Sequence, residues 1–436
     1  MGRAGVMRRT RRYISIGAGV TAVGLVLAAC GASSTASAPS HSTTTAPSRS
    51  TTIKLYNDKG AEDTDFAAIG KQSQTAIGVK EVPVGYTNED TYTALIDASF
   101  RTSQKPNVFT WHTGSSLAQV AQQHDLASTS SIWKQAIADG DLPKGLESYY
   151  TVGNQQYCVP LYVSDYVMFY NKQIFAKDHL VPPTTWTQLL ADAQTIKSGG
   201  VTPFYQTDVL FSFIWFEQLL IGENPNLYLK LESGKASYTS PGVVSVMKQW
   251  KSLIDKGYMS NPAVTTAPQS LLKSGNVAMI PFGTWFTGDL NLVGANSSDY
   301  GMFVIPPENT ALAKIPMNFE TGPLCVEAHA PKMAADMKFL KWWTTPAPET
   351  EWSKLTSDSG ADPKSISTDP QVVAIAKEAA SSKVELIQRY YEDTPASILN
   401  TALSEFGAFM VKPNSYMRVL QTIQATAKEY WASNGG

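Results

Sequence analysis

Hydrophobic and polar positions divide the chain into three stretches. From Tyr13 to Ala29 the residues are apolar or small and uncharged, and Arg3, Arg8, Arg9, Arg11 and Arg12 stand before them. The run is shorter than the ~20 residues a membrane-spanning helix needs and stops at small residues, which predicts a secretory signal over residues 1–29 rather than a permanent anchor helix. From Gly31 to Thr52 the chain is almost entirely Ser, Thr, Ala and Pro. Such a composition cannot bury a core, so residues 30–52 are expected to form a flexible tether. Beyond it, apolar positions recur with the periods of strands and helices.

Ile53-Lys54-Leu55-Tyr56 reads as a strand running into the turn-forming Asn57-Asp58-Lys59-Gly60. Helices are expected over residues 66–74 and 88–100, and strands over 78–84 and 107–111. Strands alternating with helices predict an α/β fold with a largely parallel sheet, and ligands bind such sheets beyond the carboxyl ends of the strands. Residues 56–59 and 111–115 lie at those ends. Residues 183–272 are mostly helical by period, with Pro241 just inside a helix start. Strands return at 277–280 and 301–305, and everything from Thr368 onward reads as helix. Roughly 380 residues beyond the tether exceed one ordinary core, which predicts two lobes.

Charge narrows the function. A net charge of −2 and a pI near 6.2 provide no basic field for nucleic acid. Ten tryptophans and nineteen tyrosines are a generous supply of flat faces, core material by default and also the surfaces on which sugar rings stack. His112, His124, His179 and His329 show no metal-ligand spacing, and neither a phosphate-binding loop nor a Cys-x-x-Cys cluster is present, so no cofactor is expected. Cys158 and Cys325 can pair in one way only, but nothing else suggests a disulfide-built fold, and two buried free thiols are the favoured expectation.

Leu27-Ala28-Ala29-Cys30 resembles the lipobox of bacterial lipoproteins, which implies that Cys30 is acylated and holds the domain at the outer face of the cell membrane. Thr10-Arg11-Arg12-Tyr13-Ile14 also resembles a twin-arginine export signal, a basic Sec-type leader being the alternative.

Residues 156–204 carry a more specific resemblance. Tyr157-Cys158-Val159-Pro160, Tyr170-Asn171-Lys172, Pro182-Pro183-Thr184-Thr185-Trp186 and the Gly200-to-Phe204 segment match, in order and spacing, the extracellular sugar-binding proteins related to maltodextrin-binding protein. Cys158 departs from the pattern, standing where that family carries Gly or Ala. Asn107 to Trp111, Gly275 to Met279 with Gly283-Thr284-Trp285, and Ala335 to Trp343 extend the likeness over nearly all of residues 53–435.

The resemblance implies a two-lobe α/β fold of the periplasmic-binding-protein type, with lobe 1 formed by 53–162 and 321–363 and lobe 2 by 163–320 and 364–436. Crossing segments would lie near 163–165, 319–321 and 363–367. It further implies a monomer without enzymatic activity that binds a carbohydrate, an oligosaccharide above all, and passes it to the permease of an ABC importer. Two rival readings stay open: a secreted glycoside hydrolase using two carboxylates, and the same fold carrying iron, phosphate or a polyamine.

Sugar binding requires aromatic faces for the ring and charged or amide groups for the hydroxyls. Trp111 matches a stacking tryptophan of the family, and Trp285 sits in its Gly-x-Trp. Asp58 and Lys59 match a polar pair that reaches the ligand, Asp165 and Tyr166 lie at the first crossing, and Glu320 lies at the second. Trp215 is the candidate cover from the second lobe, although Phe211, Trp215 and Leu219 share a helical face more typical of core. Tyr390, Tyr391 and Asp393 match too loosely for one to be chosen.

Overall fold

The computed structural model describes residues 50–103 and 105–434. The expected signal, the Cys30 anchor and the tether up to residue 49 lie outside the described residues. The tether's expected end at residue 52 moves back, because Thr51 and Thr52 already pair with Val79 and Lys80. A Ser/Thr-rich composition hid this, although β-branched Thr suits a strand once a neighbour supplies hydrogen bonds. No described helix is long and apolar enough to cross a membrane.

In chain order the strands are Thr51–Asn57 (β1), Val79–Gly85 (β2), Val108–Thr110 (β3), Thr151–Val152 (β4), Gln155–Gln156 (β5), Val159–Pro160 (β6), Ser164–Asn171 (β7), Thr202–Phe204 (β8), Val277–Gly283 (β9), Tyr300–Phe303 (β10), Ile315–Glu320 (β11), Pro323–Val326 (β12) and Val384–Gln388 (β13). The first sheet runs β2-β1-β3-β12-β6, with β1 parallel to β2 and β3, and β12 antiparallel to β3 and β6. Residues alternate across it. Ile53 and Leu55 pack with Phe66, Ile69, Leu340 and Trp343 from helices Asp63–Ile77 and Met333–Trp343. The other face packs Phe109 with Ile96, Leu117 and Trp133 from three further helices. Covered on both faces, β3, β12 and β6 are buried throughout.

The second sheet runs β13-β11-β7-β9-β8, with β10 antiparallel to β7. Every residue of β9 is buried. Helices Ile214–Glu223, Pro241–Asp255 and Ala396–Val411 contribute Phe216, Trp250 and Phe406 to the core of this lobe. The helix expected throughout the C-terminal part is corrected at β13, which pairs in parallel with β11 from Ile315↔Val384 to Phe319↔Gln388. Five residues with an irregular burial pattern have no readable period until an open sheet edge recruits them.

Three connections join the sheets: residues 161–163 between β6 and β7, residues 321–322 between β11 and β12, and residues 357–369 between helices Pro346–Thr356 and Pro370–Ala379. Leu161 N donates to Gly322 O at 2.6 Å, binding the first two together. A side chain at Gly322 would come within 2.7 Å of the Tyr162 ring, so this crossing requires the close approach of glycine.

Cys158 and Cys325 form a disulfide with Cα atoms 4.2 Å apart, which corrects the expectation of free thiols. The antiparallel ladder Pro323↔Pro160 and Leu324↔Val159 places residue 325 opposite residue 158 at its next rung. Across 167 residues of sequence that register was invisible. Cys158 has φ of 61°, a left-handed backbone that favours glycine, so the position where the resembled family carries a small residue is conformationally special here too.

Candidate functional site

A cavity of about 440 Å³ lies where the two sheets face each other, within the size range of small-molecule clefts. The carboxyl ends of β1 and β3 supply one wall. Beyond β1 the turn is tied down by Lys59 N donating to Asn57 Oδ1 at 2.9 Å and by the Thr110 hydroxyl donating to Asp58 Oδ1 at 2.6 Å. The Lys59 ammonium lies 4.9 Å from the centre of the Tyr162 ring. Beyond β3 come Trp111 and His112. Trp111 is only 6% exposed, and its indole N–H donates to Ser116 O at 3.3 Å, so one edge is anchored while the side chain borders the cavity.

The opposite wall holds Tyr205, Phe211, Trp285 and Asp289. Trp285 begins the helix Phe286–Leu292, its backbone N–H donating to Ser164 Oγ at 2.7 Å. Its ring lies 5.6 Å from that of Phe211 at an interplanar angle of 23°. The Trp285 indole N–H is buried and has no hydrogen-bond partner among the described residues.

A chain of charges crosses the cavity. Arg389, just past β13, donates from Nε to Glu392 Oε2 at 2.8 Å, from Nη2 to Glu392 Oε1, and from Nη1 to the Tyr166 hydroxyl. Its Nη2 also lies 2.6 Å from Glu320 Oε2. His112 Nε2 lies 2.8 Å from Glu89 Oε1, and its Nδ1 lies 3.8 Å from Glu392 Oε1. Burial alone would lower the imidazole, but Glu89 and Glu392 overcome it and push it up to about 10, so His112 is charged at neutral pH. Burial acts against the ionised Glu392, yet Arg389 and His112 hold its carboxyl below the usual range.

Of the sequence candidates, the fold brings Asp58, Lys59, Trp111, Trp285, Glu320 and, from the loosely matched group, Tyr391 together on the cavity lining. Asp165, Tyr166 and Trp215 are not on it. Asp165 is 5% exposed at the start of β7, and burial pushes its carboxyl up to about 7. Tyr166 stands behind the wall, its hydroxyl donating to Glu320 Oε1 at 3.3 Å while receiving from Arg389. Trp215 belongs to the second-lobe core, its indole N–H donating to Tyr205 O at 2.8 Å, so it does not reach the cavity, whose second-lobe lining includes Tyr205 and Phe211 instead. Reading by residue type missed Arg389, His112, Glu89 and Glu392. His112 directly follows Trp111 at a strand end, the one signal that pointed to it, whereas Arg389 follows a strand that the pattern did not reveal.

A model of the bacterial extracellular solute-binding proteins matches residues 68–379. An uncharacterized ABC transporter extracellular-binding protein of Pyrococcus horikoshii is 27% identical over 235 residues, 51% of this chain and 52% of that protein. An sn-glycerol-3-phosphate-binding periplasmic protein of Brucella abortus is 27% identical over 233 residues, 49% and 53% of the two chains. The chain thus spans about half the length, or less, of the curated relatives it matches. Among solved structures, the solute receptor AcbH, described as preferring β-D-galactopyranose, superposes with a TM-score of 0.77 at 22% identity, covering 88% of this chain and all 100% of its own. A chitin oligosaccharide binding protein gives 0.76 at 18% identity, covering 86% and 98%. The GacH receptor of Streptomyces glaucescens, solved with acarbose, gives 0.72 at 19% identity, covering 88% and 98%. At these identities the structures establish the two-lobe α/β fold.

Proposed function

Because this chain belongs to the bacterial extracellular solute-binding protein family, we propose that it captures a carbohydrate in the cleft between its lobes and delivers it to the permease of an ABC importer. The observation that carries the reading is the make-up of the cleft. Aromatic faces at Trp111, Tyr162, Phe211 and Trp285 alternate with charged groups at Asp58, Lys59, His112 and Glu320 around one cavity. Flat rings cover the C–H faces of a pyranose while charged groups hydrogen-bond its hydroxyls. The fold neighbours named for galactopyranose, chitin oligosaccharide and acarbose support the same class.

The mechanism follows from the wall arrangement. A solute that touches both lobes stabilises the closed arrangement by its differential affinity, which lets closure report occupancy to a membrane partner. On this reading capture and release require no covalent step, which makes the protein a carrier rather than a hydrolase. Acylation of Cys30 would keep it at the outer membrane face, acting as a monomer beside the importer.

A thermal-shift screen of the full protein against mono- and oligosaccharides, followed by calorimetry and assay of the recovered glycans, tests this reading. A bound sugar recovered intact is the expected result. Stabilisation by inorganic phosphate or a polyamine with no glycan active, or cleavage of the glycan, overturns it.

A further inference from the structure

The charges lining the cleft are unevenly satisfied. Arg389 is taken up by Glu392, Glu320 and Tyr166, and His112 by Glu89 and Glu392, so neither cation is left for an incoming anion. Glu62, from the first lobe, and Asp289, from the second, are in the opposite position. Neither carboxyl has an ion pair or side-chain hydrogen bond among the described residues, and Glu62 Oε2 is shut off from solvent without a partner. Both line the one cavity and Asp289 acts on Glu62, whose Oε1 would lie 3.3 Å from a Cβ built on Gly288, next to Asp289. Burial and the neighbouring acids outweigh Lys59 and push Glu62 up to about 7, and burial pushes Asp289 up to about 6. Among the described residues Lys59 is the cation that acts on both, and Tyr162, Glu62, Asp58 and Glu320 already act on it.

We propose that the cleft selects a carbohydrate bearing a protonated amine, whose ammonium docks between Glu62 and Asp289, and that it rejects phosphorylated and uronic-acid sugars. The proposal rests on the carbohydrate-carrier reading and narrows it. An ammonium there makes charge-assisted hydrogen bonds to a carboxylate on each lobe and relieves their mutual repulsion, in a cavity also lined by the Trp285 and Tyr162 rings, which attract cations. Because the two carboxylates come from different lobes, the amine also supplies the differential affinity that draws the cleft shut. An anion would meet two unpaired carboxyls beside one lysine on which Asp58, Glu62 and Glu320 already act.

The test is calorimetric titration of the full protein, at about pH 7 and low ionic strength, with paired glycans on glucose, galactose and mannose backbones. Each set holds an amino sugar, its N-acetyl and hydroxyl counterparts and a 6-phosphate, as monomers and short oligomers. The amine form is expected to bind at least about tenfold tighter than its neutral counterparts, an advantage that shrinks with added salt. Glu62→Gln and Asp289→Asn, each checked for folding by circular dichroism, should collapse the amine-to-hydroxyl affinity ratio toward one. A ratio near one in the parent, a ratio untouched by both substitutions, or tighter binding of a phosphate overturns the proposal while leaving the carrier reading intact. Failure of every glycan in every set to bind removes the carrier reading itself.

Discussion

Around Arg389 each charged group is ion-paired with one of opposite sign, whereas Glu62 and Asp289 make no ion pair and share only the more distant Lys59, although both groups line the same cavity. A buried charge with its partners in place acts as framework, because removing one partner strands the other in a poorly solvated site. A partly buried carboxyl with none is held there by the rest of the fold, and its free energy falls when a complementary group arrives. The contrast separates the part of the cleft that builds the protein from the part that waits for the solute.

The largest effect expected from breaking this contrast is at Arg389. Arg389→Met leaves Glu320 and Glu392 buried without their counter-ion and should cost about 3–5 kcal/mol of stability in urea denaturation at neutral pH. A loss below about 1 kcal/mol would show that the paired cluster is not framework.

The two tryptophans sharpen the comparison next. Trp285→Ala removes a partly buried ring with an unpartnered N–H and should weaken binding of the identified glycan by about 2–4 kcal/mol, at least tenfold. Trp111→Ala should weaken binding and also destabilise the first lobe, because that ring is 6% exposed and packed on Phe109. If both folded variants bind like the parent, the walls of the cleft have been misplaced.

Stability should fall with rising pH in both clusters but over different windows, about 4.5 to 7 for Glu62 and about 6.5 to 10 for His112. His112 has a folded value of about 10 against an ordinary 6.5, so its stabilising contribution is complete below about 6.5 and is lost as pH rises through about 10. Glu62 is raised from 4.5 to about 7, so the folded state favours its neutral form and its penalty grows as pH rises across that interval. Without ligand, Glu62→Gln should therefore stabilise the protein at about pH 8 by on the order of 1 kcal/mol, and His112→Gln should remove the alkaline loss. Melting curves from acid to alkaline pH check both, and parallel profiles for the parent and Glu62→Gln would refute the unpaired state of that carboxyl.

The smallest effect is expected at Trp431, in helix Tyr416–Asn434 and away from the cavity lining. Its replacement by Ala should leave affinity within about 0.5 kcal/mol of the parent, and a larger change in titration would mean that loss of any tryptophan perturbs binding.

Much of the fold was legible because the first strands and helices carry clear periods: β1, β2 and β3 lie within a few residues of their expected places, and alternation led directly to the α/β class. The place of Asp58, Lys59 and Trp111 on the cavity lining was legible because they stand just past strands whose carboxyl ends were already located, and the family resemblance singled them out there. The short strand β13 carried no period of its own, so Arg389 at its end stayed hidden. Trp215 was misplaced because helical spacing identifies a shared face without saying whether that face meets core or cleft.

The local pattern by itself determined the element types, the two-lobe size and the aromatic and polar turns at the strand ends, since these depend on neighbours within a few residues. The tertiary structure alone decided the Cys158–Cys325 bridge, the partners of Arg389 and His112, and the lack of a partner for Glu62. Each of these is a relation between side chains far apart in sequence. Charge pairing, desolvation and disulfide geometry act through distances of a few ångströms in space, and a linear pattern does not encode which distant residues the chain will bring that close.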